Sequence, residues 1–330
     1  MNKPQNITLF IIISSIILIA SCSGCNENPR DCYDLLSFRD ATPPVFIDIK
    51  AQSPTCLQLS FNEKLMEEKN PPLFLNDAPH TNFAYKEKTL CVYTREPITP
   101  GEKVTVQGRV KDLSGNTTHF TCTTYGANQN PASLLINEFT TKGTSKSPDR
   151  VELVALKSGC LAGLTLYNGT IPYDTDRCVL PNTMVSTGEY IVITFQEDPD
   201  SLTFESENHA GLSANNGTIS LYQDPSAQAP LIDAVAYSTQ TASTFEGFGS
   251  KDVLSGAQLL CKSGQWQYTT PLSSAAIDCT TSTATRSINR SHTAEGIPVD
   301  TNSQSDWYVT KTGGQSFGSS NTKEHYEPRN

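Results

Sequence analysis

The longest apolar run lies at the start of the chain. From Ile7 to Ala20 it reads ITLFIIISSIILIA, behind a short polar segment carrying one positive charge, Lys3. Such a run suits the hydrophobic segment of an export signal and falls short of the roughly 20 apolar residues of a membrane span. Beyond it the pattern changes to alternation. Leu57, Leu59 and Phe61 alternate with Gln58 and Ser60, and Val104, Val106 and Gly108 alternate with Thr105 and Gln107, as residues do when a sheet buries one face. Candidate strands fall at 45–50, 57–61, 73–75, 89–93, 103–111 and 117–121. Pro100-Gly101 and Ser114-Gly115-Asn116 supply turns between them. Long helical periodicity is missing, and the stretch from Asp252 to Gln265 predicts a single short helix. Short alternating segments separated by turn formers predict an all-β chain of sandwiches.

Length and charge narrow the picture. A chain of 330 residues exceeds one small sandwich and accommodates two domains. Its net charge is −10, with no cluster of Lys and Arg, so no nucleic-acid partner is expected. The ten cysteines of an exported chain point to disulfides rather than to metal thiolates. Proximity in sequence suggests the pairs Cys160–Cys178, Cys261–Cys279 and Cys56–Cys91, although spacing alone does not determine connectivity.

Candidate chemistry is sparse. The five histidines are scattered, and the chain has no His-Glu-x-x-His, Gly-x-Ser-x-Gly or Walker-type motif. Glu138 and Glu152 fall in neighbouring strand motifs and could face one another, either for acid–base work or as hydrogen-bond acceptors for turns. Asp112 and Asn116 offer calcium ligands or an Asx turn. Asp300, Asn302 and Asp306 resemble a fragment of an oxygen-ligand calcium loop that lacks the Gly and terminal Glu of an EF-hand. Phe248, Trp266 and Tyr268 form an aromatic group suited to protein or sugar contact, or to a core. The expectation is a non-enzymatic protein with no cofactor beyond a covalent lipid, and at most Ca2+ at the Asp300 loop.

Three stretches resemble known families. Ile19-Ala20-Ser21-Cys22 resembles the bacterial lipobox, which implies a signal peptide over 1–21 and an acylated Cys22 at the head of a tether over 22–42. Cys25 is the alternative acceptor and would leave an even number of cysteines. Several acyl chains on one cysteine hold a soluble body to a membrane without a spanning helix. Ser23 after the acceptor, rather than Asp, favours the outer membrane or cell surface over the inner membrane. Next, LQLSFNEKL and PGEKVTVQGRVKDLSGN are similar to the strands and closing hairpin of bacterial Ig-like domains, implying such a module over 43–126.

The third resemblance covers 131–321. Ile136-Asn137-Glu138, Val151-Glu152-Leu153, Leu161 to Leu166, Gly188 to Ile193, Asn215 to Tyr222, Ile232 to Tyr237, Arg286 to Arg290, Asp306-Trp307 and Gly318 to Asn321 occur in the order seen in lamin-tail domains. That family implies a second Ig-like sandwich. The stretch 239–284 is an insertion into it, read either as a disulfide-stapled recognition loop or as cover for a sheet edge, and 322–330 is a C-terminal tail. The expected whole is two tandem Ig-like β-sandwiches behind a lipid anchor, in which the second sandwich is presented to a protein or glycan partner. The alternative is an accessory subunit that targets a membrane-associated hydrolase or nuclease acting in trans.

Overall fold

The computed structural model describes residues 40–196, 201–204, 211–267 and 273–328. The export segment, both candidate lipid acceptors Cys22 and Cys25, and Tyr268 lie outside the described residues.

The first half is two four-stranded sheets facing one another. One runs β1 (Phe46–Ser53), β2 (Cys56–Phe61), β6 (Thr89–Tyr93), β5 (Phe83–Lys86). The other runs β4 (Ala78–Pro79), β3 (Leu73–Leu75), β7 (Lys103–Lys111), β8 (Thr117–Tyr125). The alternation read from the sequence is the alternation observed. Along β2, Leu57, Leu59 and Phe61 are buried and their neighbours only partly so. They meet Val104, Val106, Val110 and Phe120 from the opposite sheet. Phe61 packs edge-on against both Phe46 and Phe120, with ring centroids 5.8 Å apart in each case. Gly108 stands mid-strand in β7 because a Cβ there would lie 2.9 Å from the Phe120 ring. The β7–β8 hairpin closes as an Asx turn, in which the Asp112 carboxylate accepts from the Asn116 amide nitrogen at 2.8 Å and from Asn116 Nδ2 at 2.7 Å.

The second half is a larger sandwich with a separate core. Its six-stranded sheet runs β16 (Leu202–Thr203), β15 (Tyr190–Thr194), β10 (Arg150–Lys157), β9 (Ser133–Phe139), β20 (Ile288–Arg290), β21 (Trp307–Val309). Its five-stranded sheet runs β13 (Asp176–Val179), β12 (Thr165–Asn168), β17 (Asn216–Tyr222), β18 (Leu231–Ser238), β19 (Ile277–Asp278). A two-stranded ribbon, β11 (Gly159–Cys160) with β14 (Met184–Val185), closes one end. The chain is therefore all-β, with one α-helix among the described residues.

That helix, α1 (Lys251–Ser263), lies on the outer face of β17 and β18. Ser250 caps its N-terminus through a bond from the Asp252 amide, and Gly264 ends it at φ 78°, the left-handed conformation a helix C-terminus favours. Ala257 and Leu260 reach the core. Gly256 lets the helix sit close, since a Cβ there would lie 3.2 Å from the Thr218 hydroxyl. After the helix the insertion returns to pair β19 in parallel against β18, Tyr237 opposite Ile277. The insertion thus covers a sheet edge and a sheet face.

No disulfide joins the expected pairs among the described residues. Cys160 sits in the ribbon opposite Met184, whereas Cys178 is on β13 opposite Leu166, in a different sheet. Cys261 is on the helix, while the Cys279 thiol, fully buried, donates to the carbonyl of Asn215. The insertion is held instead by packing of Phe248, Leu260, Trp266 and Ile277, and by Trp266 Nε1 donating to the Ala275 carbonyl at 2.9 Å. Cys56 and Cys91 are a different case. They lie on adjacent strands, Cys56 opposite Tyr93 and Cys91 opposite Gln58, and their thiols are hydrogen-bonded without being joined.

Candidate functional site

Glu138 and Glu152 do face one another, as register partners across β9 and β10. A β-bulge between Glu152 and Leu153 turns Asn137 and Glu138 away from the core. Both carboxylates are fully buried, and what buries them is the C-terminal segment. Glu138 accepts from the Ser316 amide at 2.9 Å and from its hydroxyl at 2.6 Å. Glu152 accepts from Asn137 Nδ2 at 2.7 Å and from the Gly318 amide. Asn321 accepts from Asn137 at 2.9 Å and donates to the Arg290 carbonyl at 2.8 Å. Beyond it, Tyr326 donates to the Val309 carbonyl at 2.8 Å, and its ring lies 4.2 Å beneath the Arg286 guanidinium. The described residues from 322 to 328 are therefore docked on the edge of the sheet. Burial pushes Glu152 up to about 7, against the two donors it accepts from and helped by the neighbouring Glu138. Burial raises Glu138 as well, partly offset by its bonds from Ser287 and Ser316. These groups clamp a strap, and the strap buries both carboxylates.

Arg290 is a second staple. It is 1% exposed and bridges the two sheets. It donates to Asp233 at 2.8 Å, to Asp300 at 3.0 Å and to the Ile136 carbonyl at 2.6 Å, with its guanidinium 4.6 Å from the Trp307 ring. This accounts for the Asp300 loop. Asp300 is committed to Arg290. Asp306 spends both oxygens on Thr301 and Ser303, closing a capping box on the turn Gln304–Asp306. Asn302 donates to the Gly264 carbonyl at the helix end, at 3.1 Å. Asp300 and Asp306 thus already accept hydrogen bonds within a capped turn, while Asn302 Oδ1 is buried without a hydrogen-bond partner. A tighter acidic group occurs elsewhere, where Asp40, Glu63 and Asp112 each bring one oxygen within 4.8 Å of the others. Asp112 in that group is already held by Asn116.

The aromatic candidates fare likewise. Phe248 and Trp266 are 2% and 5% exposed, so they serve the core rather than a surface, and Tyr268 is outside the described residues.

What sequence reading did not find is a cleft of about 1210 Å3 at one end of the second sandwich. Its walls are the loop joining β12 to β13, the loop entering β17, and the first turn of α1. Asn168, Tyr173, Asp174, Asp176, Arg177 and Asn216 line it. Gly169, at φ 119°, makes the first loop possible, since a Cβ there would lie 2.5 Å from Asp174 Cα. The loop presents Tyr173, which is 39% exposed. The second wall is fixed by Asp149, which accepts from the Gly143 amide at 2.6 Å and the Leu212 amide at 3.1 Å. Burial pushes Asp149 up to about 6. Asn168 ties the walls together by donating to Asp176 at 3.0 Å and to the Gly211 carbonyl at 3.4 Å. The sequence signals were Gly169 with the Tyr-Asp-Thr-Asp run on one loop and Gly211 on another, about 40 residues apart.

Fold and site define a class: a tandem all-β protein whose larger sandwich is clamped by a buried polar staple and opens a polar cleft at one end. Residues 132–214 and 204–309 match the family TP_1001_2nd, described as a protein second domain. The match takes in more than half of the chain, and the chain belongs to this family. No curated protein matches. Among solved structures, the surface layer protein SbsC (domains 1–6) shares 10% identity at a TM-score of 0.23, covering 58% of this chain and 40% of that one. Dimeric latent PorU from Porphyromonas gingivalis shares 12% identity at a TM-score of 0.19, covering 60% and 20%. The chain thus spans less than half the length of either.

Proposed function

We propose that this is a lipid-anchored envelope protein without catalytic activity, in which the first sandwich is a spacer and the second holds a ligand at its end cleft. The observation that carries the reading is the division of polar groups in the second sandwich. The carboxylates best suited to chemistry, Glu138 and Glu152, are sealed under the C-terminal strap, while a wide opening of mixed polar and apolar lining is built on loops. Loops on a rigid sandwich are where binding is carried. The Ile-Ala-Ser-Cys sequence ending at Cys22 supports acylation there and a place on the outer membrane or cell surface. No helix among the described residues is long and apolar enough to cross a membrane. The order of motifs supports an Ig-like spacer followed by a lamin-tail-like sandwich.

Metabolic labelling with a palmitate analogue, combined with protease shaving of intact cells, tests this. Label lost on Cys22→Ala, and digestion of the second sandwich on intact cells, are the expected results. Unlabelled protein, or labelled protein protected until the envelope is opened, overturns the surface assignment. Stoichiometric recovery with a hydrolase from native membranes would favour the accessory role.

A further inference from the structure

We infer that the end cleft of the second sandwich binds a neutral oligosaccharide, with Tyr173 as the stacking platform and Asp174 as a hydroxyl acceptor. The inference rests on the ligand-holding reading above and names its ligand class.

Charge is the first argument. The ionisable side chains lining the cleft are Asp174, Asp176, Asp252 and Arg177. Arg177, hydrogen-bonded to the Tyr167 hydroxyl, is one guanidinium against three carboxylates in this lining. The mouth is left acceptor-rich and negative, and repels phosphates, uronic acids and nucleic acids. A ligand that fits must bring many donors and little negative charge. Hydroxyls of a sugar do so, since each both donates and accepts.

Shape is the second argument. A ligand of one concentrated positive charge wants converging carboxylates. Here the acids are spread over different walls, Asp174 and Asp176 on the β12–β13 loop and hairpin and Asp252 on the first turn of α1. The volume exceeds the roughly 300–1,000 Å3 of small-molecule pockets and leaves room for several rings. Tyr173 offers an exposed, flat, apolar face next to Pro172, which suits the C–H face of a pyranose. The Asp174 carboxylate, exposed on the same loop, is a planar group that engages adjacent hydroxyls pairwise.

The platform is preorganised. Gly169 at φ 119° sets the turn, Thr175 donates its amide back to the Asn168 carbonyl at 2.9 Å, and the opposite wall is pinned by Asp149. Binding therefore orders little that is not already ordered.

The test is a glycan array probed with the full chain, carrying neutral oligosaccharides beside sialylated and uronic-acid ones, followed by isothermal titration with the best neutral hit. Binding confined to neutral glycans is expected. Tyr173→Ala should weaken it at least tenfold, Tyr173→Phe should retain it, and Asp174→Asn should weaken it severalfold. Both sites are exposed, and an unchanged melting temperature shows that each variant folds. No neutral glycan bound, binding only to acidic glycans, tighter binding to a lysine-rich peptide, or full affinity in Tyr173→Ala each overturns the proposal. Failure here with successful palmitate labelling and shaving leaves the envelope reading standing and rejects only the ligand.

Discussion

Glu152 lies on a sheet face that would be wet in most sandwiches, yet it is fully buried and its acidity is displaced from an ordinary 4.5 to about 7. Asp149 moves from 3.8 to about 6 for the same reason. Both shifts are upward, so the fold prefers the protonated forms. Their contribution to stability is fully present below the unfolded values, near pH 4, and is lost as pH rises through about 6 for Asp149 and about 7 for Glu152. The melting temperature of the second sandwich should therefore fall between pH 5 and pH 8, and Glu152→Gln should flatten that decline. A melting temperature independent of pH over this range would contradict the assignment. Arg290 gives a second expectation at this scale. Arg290→Met leaves Asp233 buried without a counter-charge, and urea unfolding should register a loss of about 3–5 kcal/mol. Cys56 and Cys91 supply a third residue-scale expectation. Their thiols are in contact on neighbouring strands, so protein recovered from an oxidising compartment should yield a Cys56–Cys91 cross-linked peptide on non-reducing digestion. Two alkylatable thiols there would refute it.

Among the elements, α1 and the turns around it show what a staple without sulfur looks like. Ser250 and Gly264 delimit the helix, and both limits were readable within a residue or two, because caps act through local hydrogen bonds. The anchor of the same insertion was not readable. Trp266 donates to a carbonyl nine residues away, and its indole is buried among residues of α1 and the strand that follows. An aromatic residue exposed for recognition and one buried in a core look alike in sequence. Trp266→Ala should cost about 3–5 kcal/mol and should open the insertion locally. Trypsin cleavage at Lys251 and Lys262 would then outpace cleavage in the remaining strands, whereas an unchanged digestion pattern would show that the insertion is held by something else.

For the whole molecule the decisive feature is that the two sandwiches have separate cores. Only the second depends on its C-terminal strap. Truncation after Lys311 removes Ser316, Gly318 and Asn321, and leaves Glu138 and Glu152 without those donors on a newly wetted face. Calorimetry of the truncated chain should show the second sandwich melting markedly lower and the first unchanged. A common shift of both transitions would show that the two halves unfold as one unit. The local pattern determined a good deal of this molecule: the all-β class, six of the eight strands of the first sandwich (β4 and β5 were not read), the hairpin turns and the one helix among the described residues. Those strands bury one face and wet the other, so the pattern that burial imposes is written directly in β2 and β7. Strands β9, β10, β17 and β18 bury both faces, under the strap or under α1, so alternation fades and polar residues such as Asn137, Glu138 and Glu152 stand where a reader expects either core or solvent. Their roles belong to partners more than a hundred residues away, Ser316 for Glu138 and Gly318 for Glu152. The cleft is of the same kind. Tyr173, Gly211 and the helix start are unremarkable apart from one another, and only tertiary packing, which sets three loops around one opening, makes a site of them.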